Sequence, residues 1–190
     1  MALICGKITA NILKSCDVPL QGGTENRAVL INKDDIATVT YNADAYTVED
    51  IILNSGVSAF QIDGKNNSIA PNSAMVDLEF DNVFDHTVTF KGFDISPYVK
   101  KQLNNGKEGR YVVIVENVFK GTAGISAFEV YGLTTGLEFS ELTRDANDET
   151  TQGAFHFVLT TKKNKEPRLP NPLYVTSYSA TKAIVDGLLA

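Results

Sequence analysis

Two histidines, two cysteines and one acidic loop are the parts of this chain whose residue types could do chemistry. Cys5 and Cys16 stand apart with no C-x-x-C pair, so the spacing offers neither a zinc site nor a disulfide framework. A thiolate of Cys5 or Cys16 beside His86 or His156 would make a nucleophile, but no spacing supports such a pair. His86 falls on the apolar side of an alternating run, which reads as a core histidine with satisfied hydrogen bonds and not as a general base. Asp145, Asn147 and Glu149 repeat the alternating oxygens that open a calcium loop. The pattern then fails, because its sixth position is Thr150 in place of glycine and its twelfth is His156 in place of a bidentate glutamate. With no Walker loop, G-x-G-x-x-G or G-x-S-x-G, phosphate cradling and serine hydrolysis have no handle either. The expectation is a protein that is not an enzyme and needs no metal or cofactor.

The composition points the same way. A chain of 190 residues that is 43% hydrophobic suits one domain, 1–190, with a sizeable core. Charged residues are only 21%, and Val, Ile, Thr, Phe and Tyr recur in short runs punctuated by turn residues. A mainly β fold follows, all-β or β-rich α+β. The net charge of −6 argues against a surface that grips nucleic acid, since such binding needs clustered Lys and Arg. The start lacks the basic-then-apolar pattern of a signal peptide, and no apolar run approaches the roughly 18 residues of a membrane helix. We therefore expect a protein made in a cytoplasm and without a membrane partner.

Residues 1–17 read as two short strands or as an arm that docks on another surface. After Pro19 and the Gly22-Gly23 break, strands are expected at 27–31, 36–41, 49–53, 57–62 and 74–80, with 42–50 a polar loop. In 74–80, Ala74, Val76, Leu78 and Phe80 alternate with polar residues, the code of a half-buried strand. The run 84–91 repeats the code with Phe84, His86, Val88 and Phe90 inward. Ser96 and Pro97 open a helix that should lay Tyr98, Val99 and Leu103 on a sheet, and Gly106 should stop it. The β-branched run 111–115 reads as a strand buried on both faces. Ser179 is placed to cap a C-terminal helix whose stripe is Ile184, Val185, Leu188 and Leu189.

The remaining stretch, 125–160, reads as two long strands, 125–142 and 152–160, that present an acidic loop with Asp145, Asp148 and Glu149. After it comes a proline-rich basic loop with Lys162, Lys163, Lys165 and Arg168, broken by Pro167, Pro170 and Pro172. Loops of opposite charge on one chain allow copies to stack head to tail, which makes these seven residues candidate stacking contacts.

Several runs carry a resemblance. They are Phe-Glu-Val-Tyr-Gly-Leu-Thr-Thr-Gly-Leu-Glu at 128–138, Thr-Arg-Asp-Ala-Asn-Asp at 143–148, Gly-Ala-Phe at 153–155, Lys-Glu-Pro-Arg-Leu-Pro at 165–170 and Tyr-Ser-Ala-Thr-Lys-Ala at 178–183. Together they resemble the C-terminal half of tailed-bacteriophage tail tube proteins and related virion ring proteins. The start, with Cys16-Asp17-Val18-Pro19 and Gly22-Gly23-Thr24-Glu25-Asn26-Arg27, is similar to phage proteins of the same group. The resemblance implies two packed antiparallel sheets, forming a sandwich or partial barrel, with one flanking helix and a short C-terminal helix. It also implies a virion protein, assembled in the host cytoplasm, whose copies join edge to edge as rings, typically hexamers. Such rings stack into a tube or connector, meet other tail proteins and let DNA pass without specific binding; 125–142 and 152–160 would be the ring-forming strands. A monomeric β-sandwich binding or capsid-decoration module is the alternative.

Overall fold

The strand 111–115 is the natural starting point, because a run with no polar alternation must be covered on both faces. In the computed structural model, which describes residues 7–13, 19–149 and 151–189, it is the strand Tyr111–Asn117, buried from Tyr111 to Glu116. One face of it, with Val112 and Ile114, belongs to a first core that takes in Val29, Ile31, Val48, Ile51, Phe128, Leu173, Val185 and Leu188. The other, with Tyr111, Val113 and Val115, belongs to a second core with Ile69, Val88, Phe90, Leu137, Phe157 and Leu159.

Among the described residues, eleven strands in chain order build two sheets. They are β1 Thr24–Asn32, β2 Ile36–Tyr41, β3 Val48–Leu53, β4 Phe60–Asp63, β5 Ile69–Asp77, β6 Asn82–Gly92, β7 Tyr111–Asn117, β8 Phe128–Tyr131, β9 Glu138–Thr143, β10 Phe155–Thr160 and β11 Asn171–Leu173. The first sheet runs β2-β3-β11-β8-β7-β1-β4, and the second runs β5-β6-β10-β9. The second core lies between them. The helix α2, Tyr178–Gly187, covers the outer face of the first sheet through Val185. The result is three layers: helix, seven-stranded sheet and four-stranded sheet. At 41% strand and 15% helix, the fold is mainly β with two packed sheets and two helices, as the sequence leads one to expect.

Five features differ from that expectation. The run 125–142 is not one strand: β8 ends at Tyr131, the chain turns through Gly132 and Gly136, and β9 begins at Glu138 in the other sheet. Gly132 has φ +72, and a Cβ there would lie 2.6 Å from the Leu137 side chain, so only glycine lets the chain cross between layers here. The helix α1, Pro97–Gly106, has its expected Ser96 cap on the Val99 N–H, but it has no buried residue; Tyr98 is 70% exposed and Leu103 alone reaches the second core. The helix α2 is capped by Ser177, whose side chain accepts from the Ala180 N–H at 3.2 Å, and not by Ser179. Pro172, read as part of a loop, lies in β11, which pairs antiparallel with β8 through three residues and parallel with β3 through Leu173 alone. Finally, β5 starts at Ile69 and stops at Asp77, so Leu78 and Phe80 lie beyond it.

Residues 7–13 contain no strand. Cys5, Cys16 and Thr150, with the rest of the 1–17 arm, lie outside the described residues.

Leu159 is fully buried between the sheets, so truncating it to alanine removes contacts on both sides of the second core. Leu159→Ala should lower the unfolding free energy by roughly 2–5 kcal/mol, read from a urea midpoint. An unchanged midpoint would contradict a core shared by the two sheets.

Candidate assembly surfaces

Among the described residues, the four-stranded sheet has two unpaired edges, β5 and β9. Adjacent strands are antiparallel throughout, β5 to β6, β6 to β10 and β10 to β9, so the two edges run in opposite directions. Which backbone groups they offer follows from two bonds. The Thr24 hydroxyl donates to the Ile69 carbonyl at 2.6 Å, and Phe84 exchanges both its backbone bonds with Glu166 at 2.8 and 2.9 Å. Ile69 and Phe84 therefore point their backbone polar groups away from the β5–β6 ladder. Because an antiparallel register alternates, Pro71, Ser73, Met75 and Asp77 on β5 point away as well. Pro71 thus places its missing N–H on the open side, the position where a sheet tolerates proline.

One face of this sheet packs on the second core, whereas the other is open. The open face carries Ala70, Asn72 and Ala74 from β5, Asp85, Thr87, Thr89 and Lys91 from β6, His156, Val158 and Thr160 from β10, and Glu138, Glu141 and Thr143 from β9. It is polar and rich in threonine. The Thr87 and Thr160 hydroxyls meet at 2.9 Å, and the Asp85 carboxylate accepts from the Thr160 and Thr161 hydroxyls.

The two charged loops lie toward opposite ends of β10. The acidic loop precedes Phe155, which pairs with Gly92, whereas the basic loop follows Thr160, which pairs with Thr87. They therefore do not meet within one chain. Asp145 accepts from the Asn147 N–H at 2.9 Å and Asp148 from the Thr151 hydroxyl at 2.8 Å, so both carboxylates shape their loop, while Glu149 is exposed. Among the basic residues, Lys165 pairs with Asp85 at 2.9 Å and Lys162 with Glu138 at 3.3 Å, and Arg168 donates to the Ala45 carbonyl at 2.7 Å. Lys163 is exposed.

The basic loop is anchored from beneath by Glu166, which by sequence belongs to the surface, and by His86, which by sequence belongs to the core. Glu166 is buried, and its carboxylate accepts from the Thr134 N–H at 3.1 Å, the Thr135 N–H at 2.7 Å and the Thr135 hydroxyl at 2.9 Å. His86 is buried beside it, as its place on the apolar face leads one to expect. Its Nδ1 accepts from the Gly132 N–H at 3.2 Å, so the proton sits on Nε2, which donates to the Arg168 carbonyl at 3.0 Å. Burial pulls the imidazole below its ordinary value, outweighing Glu166, the Arg168 carbonyl and Asp85, which favour the charged ring.

The sign of the resulting pH dependence follows. Below the ordinary value of about 6.5 the unfolded chain binds a proton before the folded one, so the contribution of His86 is complete above that pH and declines as pH falls beneath it. Between pH 7.5 and 5, the wild-type urea midpoint should fall, and His86→Gln should flatten that slope. Equal slopes in the two proteins would contradict the assignment.

Two further surfaces were not legible as such. The β5–β6 turn, closed by bonds between Leu78 and Asp81, carries Phe80, which is 91% exposed. Leu78 and Met75 are exposed nearby, alternating with Asp77, Glu79 and Asp81. At the other end of β6, an eleven-residue strand and so roughly 35 Å away, Phe93, Ile95 and Tyr98 are exposed beside Lys100 and Lys101. An acidic apolar tip and a basic apolar patch thus occupy opposite ends of one strand. The acidic loop lies at the end of the basic patch, and the basic loop lies toward the end of the acidic tip, so both charge complements have the same polarity.

Among the described residues, no group of three or more His, Cys, Asp or Glu side chains is placed to hold a metal ion. No helix of the described residues is long and apolar enough to cross a membrane. Compared with protein-family models, curated proteins and solved structures, the chain matches none.

Proposed function

We propose that this protein is the subunit of a homo-oligomeric ring that stacks into a bacteriophage tail tube or tail connector, a virion channel through which the genome passes. The observation that carries the reading is the four-stranded antiparallel sheet with two open edges of opposite direction. Rotation about a ring axis brings β9 of one copy beside β5 of the next in antiparallel orientation, so cyclic repetition continues the same sheet with no change of hydrogen-bond pattern. Six copies would close a barrel of about 24 strands, and closure removes the exposed edges that an isolated sheet leaves as an aggregation hazard.

The open face of the sheet then becomes the lumen. Its threonines and Asn72 offer a polar lining on which Asp85 and Glu138 are paired with Lys165 and Lys162 and which also carries Lys91 and Glu141; the protein's net charge of −6 agrees with DNA that passes without specific binding. Stacking uses the complementary ends: the tip around Phe80 meets the patch of Tyr98, Lys100 and Lys101, while Asp145, Asp148 and Glu149 face Lys162, Lys163, Lys165 and Arg168 of the next ring. Such a contact is heterologous, and a heterologous contact along an axis repeats without limit. A stack of this kind ends where other virion tail proteins meet it. The resemblance of 128–138, 143–148 and 165–170 to tail tube proteins supports the same reading. The test is negative-stain electron microscopy of the purified protein, which should show annular particles of about six copies.

A further inference from the structure

A groove of about 310 Å³ runs between β3 and α2, on the face of the molecule away from the four-stranded sheet. Its walls are Ile52, Leu53, Val57, Ile184 and Leu188, and Asp50 lies in its lining. Ile52 is 49% exposed, and at Gly187 the space where a Cβ would stand is open. A volume of this size equals the share of about ten liquid waters, enough to receive two branched aliphatic side chains. An apolar concavity with a carboxylate in its lining calls for an apolar segment flanked by positive charge.

The chain carries one. Ile8, Ile12 and Leu13 are 76%, 88% and 82% exposed, on a segment without regular structure. Lys7 precedes them in sequence and Lys14 follows them. Three large aliphatic side chains this exposed and this close together are unusual unless another surface covers them. The groove's other nearby carboxylate, Asp186, is already held by Arg27 at 2.6 Å and by Lys182 at 3.9 Å, so Asp50 is the carboxylate left to meet a lysine of the segment.

We propose that the segment 7–13 of one copy docks two of its three aliphatic side chains, Ile8, Ile12 and Leu13, in the groove between β3 and α2 of a second copy. The contact ties neighbours together through the segment 7–13 on a face separate from the open edges of the four-stranded sheet. Ordering the arm opposes docking, so the contact is weak between free monomers and strong inside an assembly, where neighbours hold the groove at high local concentration. The inference does not depend on ring closure, since it requires only a second copy.

The experiment uses the full chain with Cys5 and Cys16 replaced by serine. Protein carrying Asn11→Cys, which spares the aliphatic side chains, is mixed with protein carrying Val57→Cys at high concentration and oxidised. Both positions are exposed, so the fold tolerates them. The expected result is a disulfide-linked heterodimer on a non-reducing gel. Adding Ile52→Asp to the Val57→Cys protein should lower the yield about tenfold, the effect of losing roughly one apolar contact. No heterodimer, an equal yield when Asn105→Cys on α1 replaces Val57→Cys, or an unchanged yield with Ile52→Asp overturns the proposal. Rings seen by microscopy without the cross-link would leave ring assembly standing and remove the arm; the cross-link without rings would do the reverse.

Discussion

If copies join through β5 as proposed, Ser73→Pro should yield a folded protein that forms no rings. Ser73 points its N–H to the open side of β5, so proline there removes no bond of the β5–β6 ladder. The same strand already accommodates Pro71 in the same orientation two residues earlier. The change in folding stability should stay within about 1 kcal/mol, because the substitution acts on an edge and not on a buried ladder. Ring yield should fall to background, because the lost donor and the pyrrolidine ring stand where β9 of the next copy must pair. Thr89→Pro is the control. Thr89 pairs with Ala70 at a position whose backbone groups face into the β5–β6 ladder, so proline there unfolds the sheet itself. Sedimentation velocity distinguishes the two, and a Ser73→Pro protein that assembles like wild type would exclude β5 as a ring-forming edge.

On the proposed assembly, Phe80→Asp should leave single rings and abolish their stacks. Phe80 is 91% exposed and shares no core, so its replacement should change monomer stability by less than about 0.5 kcal/mol. At a stacked interface the same ring would be a buried aromatic anchor, the kind of residue whose loss costs about 2 kcal/mol or more at each contact. Repeated around a ring of several copies, that loss is multiplied and stacking ends abruptly. The charges give an independent check. Reversing Lys100 and Lys101 to glutamate should also prevent stacking, and reversing Asp77, Glu79 and Asp81 to lysine in the same protein should restore it. Tubes of normal length from Phe80→Asp, seen by electron microscopy, would show that the hairpin tip is not a stacking contact.

Those two variants sit where the sequence was least legible, and the reason is physical. Alternation reports that one side of a strand is apolar, but it does not report what covers that side. In β6 the alternating residues His86, Val88 and Phe90 are buried against the first sheet, as expected. In 74–80 the same alternation misleads: Ala74 and Val76 lie on the side of β5 opposite the residues paired with His86 and Val88, and past the end of β5 no element of the described residues covers Leu78 or Phe80. The strand β7 was plain because its run has no polar face at all, and α1 was plain because Ser96 and Pro97 are a local signal.

The crossing at Gly132 and Gly136 was harder. Their spacing was visible, but whether a glycine pair marks a bend within one strand or a passage between sheets depends on the second sheet, a tertiary fact. Glu166 shows the same limit in the charged loop. By sequence it is one more surface charge among lysines, and its burial against the Thr134 and Thr135 N–H groups depends on the turn that follows β8. The seven loop residues that the sequence offers as stacking contacts are on the surface, but five of them are engaged within the chain by carboxylates or carbonyls and by the loop's own turns.

The central claim is that the open four-stranded sheet completes itself by joining copies around a channel. Electron microscopy of the purified protein at high concentration tests it most directly. The account predicts annular particles of about six copies with an open centre, some of them stacked along one axis. A monodisperse monomer that forms no rings, even when raised salt screens the charges, would contradict it.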